Sequence, residues 1–76
     1  MSRLPQVDGR RVIRTLQKAG FFIHHQKGSH ATLRHQQDPS LRTVVPVHPG
    51  KPLKKGLLLA IIKAAGLTVD EFLDLL

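Results

Sequence analysis

A chain of 76 residues without cysteine lies near the lower limit for a self-sufficient hydrophobic core, and it holds neither a disulfide frame nor a thiolate metal site. Twelve lysines and arginines against five acids give a net charge of +7, which points to a polyanionic partner. The charge is also uneven: Asp70, Glu71 and Asp74 lie close to the C-terminus, so residues 1–69 set all twelve cations against Asp8 and Asp38 alone.

Asp8 and Gly9 precede a helical pattern in which Val12, Ile13, Leu16 and Ala19 share one face and Arg10, Arg11, Arg14 and Lys18 point outward, with Gly20 as the stop. Phe21 to Gln26 reads as a strand with Phe21 and Ile23 on one face, followed by a turn through Lys27 and Gly28. A second strand, from about His30 to His35, alternates so that Ala31 and Leu33 face the core while His30, Thr32 and Arg34 face away. Asp38 and Pro39 sit in the next turn, and Leu41 to Val47 is rich in β-branched residues. Pro46 marks this third strand as an edge or as ending early.

A loop with two prolines and a glycine, His48 to Pro52, leads to a helix expected from about Leu53 to Ala65, closed by Gly66. Thr68 and Glu71 are spaced as a capping box for a short terminal helix over about 69–76, with Val69, Phe72, Leu73 and Leu76 on its apolar stripe. The expected fold is α+β, a single domain over 1–76 of order α-β-β-β-α plus the terminal helix. Its three-stranded antiparallel sheet has both main helices on one face, because only one face is continuously apolar. His30 then stands on the uncovered face or at its rim. The longest nearly apolar run, Leu57 to Ile62, is too short to cross a bilayer, and the N-terminus lacks the apolar core of a signal peptide, so a cytoplasmic protein is expected, with no membrane partner.

Five histidines are the candidates for chemistry. His24 and His25 are expected on opposite strand faces, and His30 and His35 diverge as well, so no pair chelates locally and no metal or other cofactor is expected. His30 has informative neighbours. Gly28 permits a positive φ and close approach of a ligand, Ser29 offers a hydroxyl, and Lys27 and Arg34 bring cations to where a phosphate would sit. An imidazole exchanges protons near neutral pH, so the group suits acid or base chemistry on RNA.

The run Gln26, Lys27, Gly28, Ser29, His30, the block Val45 to Lys51, the segment Leu53 to Gly56 and the helix end Ala65, Gly66, Leu67 together resemble the HicA, or YcfA-like, toxins of bacterial toxin–antitoxin pairs. Gly20 with Phe21, and Glu71, Phe72, Leu73, extend the likeness over nearly the whole chain. The resemblance implies a double-stranded-RNA-binding-like fold, an endoribonuclease (mRNA interferase) that cleaves mRNA, a catalytic histidine at His30 and inhibition by a HicB antitoxin. Many members carry an arginine where His25 stands, a threonine at the position of Leu57 and polar residues at those of Leu59 and Ala64. Those departures imply a changed phosphate contact and a changed surface on the second helix.

RNA carries its own nucleophile, so a metal-independent reaction needs a base for the 2′-hydroxyl and an acid for the leaving 5′-oxygen. His30 suits one role, and His25 and His48 are candidates for the second. Lys27, Gly28, Ser29 and Arg34, with His25 and His48, form the expected RNA-binding set. Two non-catalytic readings stand beside this one: an RNA-binding module of the same fold, and a domain that binds an acidic protein. Finally, Leu58, Ile61, Ile62 and Ala65 make the core stripe of the second helix, yet Leu57 and Leu59 flank it. Either the terminal helix covers these two leucines or they serve a partner, the antitoxin or a second copy of the chain in a homodimer.

Overall fold

The computed structural model describes residues 4–76. Its elements are α1 (Gly9–Lys18), β1 (Phe21–Lys27), β2 (His30–His35), β3 (Arg42–Pro46), α2 (Lys55–Ala64) and α3 (Val69–Leu75). The strands form one open antiparallel sheet in the order β1-β2-β3, so β3 is an edge strand that ends at its proline, where the missing N–H removes a ladder donor. No helix among the described residues is long and apolar enough to cross a membrane.

Alternation sorts the sheet into two faces. Phe21, Ala31, Leu33 and Val45 are buried with Val12 and Leu16 of α1, Leu58, Ile61 and Ile62 of α2 and Phe72 of α3. Their strand neighbours His30, Thr32, Arg34, Arg42 and Val44 all escape burial. Both main helices therefore cover one face and leave the other to solvent, as the α+β reading expects.

Local signals start and stop the helices. The Asp8 carboxylate accepts the Arg11 N–H and caps α1, and Gly20, at φ 99°, turns the chain into β1. The Thr68 and Glu71 capping box forms in full at the start of α3. Phe72 anchors α3 in the core, while the Arg11 Nη2 and Lys18 Nζ donate to the carbonyls of Leu76 and Leu75 at 3.1 and 3.0 Å. Two cations of α1 thus satisfy carbonyls at the negative end of α3.

In three places the elements differ from the expected bounds. β1 extends to Lys27, which pairs with His30 across a two-residue Gly28-Ser29 turn, and β3 is shorter than Leu41 to Val47. The third difference is the start of α2 at Lys55 rather than Leu53. The Leu53 N–H donates to the Val7 carbonyl at 2.8 Å and Asp8 bridges Pro52, so this segment is held extended against the N-terminal strand-like stretch and cannot enter the helix.

Candidate functional site

Gly28, at φ 57°, is the first central residue of the β1–β2 turn, and Ser29 keeps a negative φ. That is the geometry of a type II′ hairpin, which matches the twist of its strands and favours glycine at this position. The turn is tied to β3 as well, because the Val47 N–H bonds the Ser29 carbonyl. His30 leaves this fixed corner as the first residue of β2, exposed, with Lys27 opposite it on β1 and Pro46 opposite it on β3. Residues directly opposite in an antiparallel pair lie about 5 Å apart at Cα, which puts Lys27 and His30 side by side on the same face of the sheet.

His25 joins the same face for a reason that strict alternation conceals. The register slips between Ile23 and His25, so β1 carries one extra residue, and His25 pairs with Thr32 of the open face. The His24 ring meets that of Phe22, also an open-face residue, with centroids 6.2 Å apart. The two neighbouring histidines therefore do not diverge as expected; the bulge turns both toward the open face. His25 and His30 are diagonal neighbours, about 7–8 Å apart at Cα. His48 is exposed two residues beyond Pro46, at the same end of the sheet as the turn.

Arg34 lies elsewhere. It shares the open face, but four residues along an extended strand separate its Cα from that of His30 by about 13 Å. Its register partner on β3 is Arg42, and its Nε is buried with no acceptor among the described residues. Two like charges opposed across a ladder, one with an unsatisfied donor, destabilise a bare sheet and suit one that receives an anion. Arg42 was absent from the expected set, although the alternation of β3 places it outward with Val44.

His35 is the histidine with a structural task. Its Nε2 donates to the Ala19 carbonyl at 2.9 Å and its Nδ1 accepts the Gln37 N–H at 3.1 Å, a tautomer fixed because a carbonyl only accepts. The ring meets Phe21 edge-on at 5.0 Å between centroids.

Among the described residues no acid stands in a strand. Asp8 and Asp38 are committed to local bonds: the Arg11 N–H holds the first carboxyl below its usual range, and the Ser40 hydroxyl and N–H do so for the second. The remaining acids belong to α3. Among the described residues no three or more His, Cys, Asp or Glu come close enough to hold a metal ion. The open face is thus a basic, histidine-bearing surface in which His25, Lys27 and His30 converge at one end and Arg34 and Arg42 stand at the other.

On the helical side, Leu57 and Leu59 remain 42% and 39% exposed, so α3 does not cover them. Leu57 borders a shallow groove with Val44, Arg42 and Ala60 at the β3 edge.

Comparison with known proteins places residues 9–67 under the family model of the HicA toxins of bacterial toxin–antitoxin systems. No curated protein matches the chain at a significant level.

Proposed function

The chain belongs to the HicA toxin family of bacterial toxin–antitoxin systems, and from that premise we propose that it is a metal-independent endoribonuclease acting on mRNA, with His30 as a proton-transferring residue. The observation that carries the proposal is the placement of His30: exposed, at a rigid corner, beside Lys27 and diagonal to His25, on a face free of carboxylates.

In the proposed reaction the 2′-oxygen of RNA attacks the adjacent phosphorus and the bond from phosphorus to the 5′-oxygen breaks. One imidazole removes the 2′-hydroxyl proton, and an acid delivers a proton to the departing 5′-oxygen, leaving a 2′,3′-cyclic phosphate and a 5′-hydroxyl. His30 takes one of these roles, and His25, on the same face, and His48, at the same end of the sheet, are the candidates for the other. Lys27 stabilises charge that builds on the phosphoryl oxygens. Gly28 and Ser29 allow the backbone to approach. Arg34, with Arg42, holds a phosphate further along the strand instead of the scissile one. The toxin–antitoxin family implies an antitoxin partner, for which a HicB-like protein is proposed.

The test is cleavage of a long single-stranded RNA by purified protein in EDTA, with the product ends identified. Cyclic phosphate ends are expected, and His30→Ala should lose about 100-fold or more of the rate, the range that acid–base catalysis supplies, with the fold retained. A His30→Ala protein that folds and cleaves near the parent rate refutes the assignment. Salt-sensitive RNA binding without cleavage by the parent instead supports the non-catalytic module.

A further inference from the structure

The four cations of α1 divide into two pairs. Arg11 and Lys18 are bound to the last carbonyls of α3. Arg10 and Arg14, one helical turn apart on a single face, are exposed and bond no acceptor among the described residues; their charge reaches the Asp8 carboxylate at a distance. Like charges at this spacing oppose helix formation, so the pair gives α1 nothing by itself.

Arg10 and Arg14 rim a groove of about 460 Å³, a size common to small-ligand clefts, in which Gln17 and Gln26 supply amides and Ile23 and Val47 an apolar floor. Ile23 is 42% exposed, although its register partner Leu33 is fully buried. Ile23 thus leaves an apolar ledge in a groove that Arg10 and Arg14 also line. The groove is also joined to the His30 corner by the chain itself. Gln26 lies between His25 and Lys27, and Val47 bonds Ser29 and precedes His48.

We propose that this groove is a second RNA subsite, on the opposite side of β1 from His30, which grips the strand as it leaves the cleavage corner. Guanidinium forks match phosphate oxygens, the glutamine amides offer both donors and acceptors to a base edge, and the ledge of Ile23 and Val47 receives the face of a base. The inference rests on the endoribonuclease reading and adds to it a path for the substrate around the β1 edge.

The experiment uses the whole chain carrying His30→Ala, so that RNA is bound but not cut, and measures affinity for a single-stranded RNA oligonucleotide of mixed sequence over a series of KCl concentrations. Each phosphate contact on a single strand contributes about 0.7 to the slope of log affinity against log salt. Arg10→Gln with Arg14→Gln should lower the slope by about 1.4, and Arg14→Gln alone by about 0.7, with no loss of thermal stability in either. The control pair Lys55→Gln with Lys63→Gln, on α2, should leave the slope as it is. An unchanged slope in the arginine variants, or an equal fall in the control, overturns the subsite while the functional reading stands. Absence of salt-dependent RNA affinity in the parent overturns the functional reading, and the subsite with it.

Discussion

Two glycines near the starts of helices, each replaced by alanine, should move stability in opposite directions. Gly9 opens α1 with its Cα against the end of β3, and a Cβ there would lie 2.0 Å from the Pro46 carbonyl oxygen and 3.2 Å from the Val47 Cα. Those are backbone atoms, so the clash has no flexible side chain to absorb it, and α1 must move from the sheet. Overpacking of this kind costs about 1–3 kcal/mol. Gly56, in the first turn of α2, has open space where its Cβ would stand and no positive φ. Alanine there reduces the freedom of the unfolded chain at no steric cost, a gain of about 0.4–1 kcal/mol. In a domain of this size 1 kcal/mol moves Tm by roughly 4–8 °C. Gly9→Ala should therefore melt lower by about 4 °C at least, and Gly56→Ala higher by about 2–8 °C, in thermal unfolding followed by circular dichroism. Because Pro46 pairs with His30, Gly9→Ala should also slow the proposed RNA cleavage at temperatures where the protein remains folded. Equal shifts of the same sign would refute the packing of α1 on β3 described above.

The exposed leucines and the two tethered carboxylates give further expectations. Leu57→Ser with Leu59→Ser should leave Tm within a few degrees of the parent, since neither residue is in the core, and should weaken binding of the cognate antitoxin or self-association; a large loss of Tm would place them inside. Asp8 and Asp38 have folded pKa values below their unfolded ones, so their contribution to stability is present above about pH 4–5 and is lost as acid titrates the folded carboxyls. Asp8→Asn with Asp38→Asn, which keeps an acceptor oxygen at both sites, should flatten the fall in Tm between neutral pH and about pH 2 relative to the parent. An unchanged profile would show that these two bonds do not couple to folding.

Much of the architecture follows from local patterns. Alternation in β2 sends His30, Thr32 and Arg34 away from Ala31 and Leu33 whatever the rest of the chain does, because a strand's side-chain period is two. Thr68 and Glu71 announce α3 by bonds made within one turn, and Gly28 announces the hairpin by its φ. The concentration of basic residues away from carboxylates is equally a property of the sequence, and so is the candidacy of His30.

Tertiary structure decided matters that depend on a partner distant in the chain. The bulge that brings His25 to the open face exists only through the register of β1 against β2, which no pattern within β1 specifies. Leu53 lost its place in α2 to a bond with Val7, and Leu57 and Leu59 stayed exposed because α3 packs with Phe72 into the core and its end carbonyls against α1. The same packing separated Arg11 and Lys18 from Arg10 and Arg14, four cations that look alike on a helical wheel. Local propensity sets the direction in which each side chain leaves its element, while the groups it meets are set by long-range pairing, where one slipped residue or one borrowed hydrogen bond changes the neighbours.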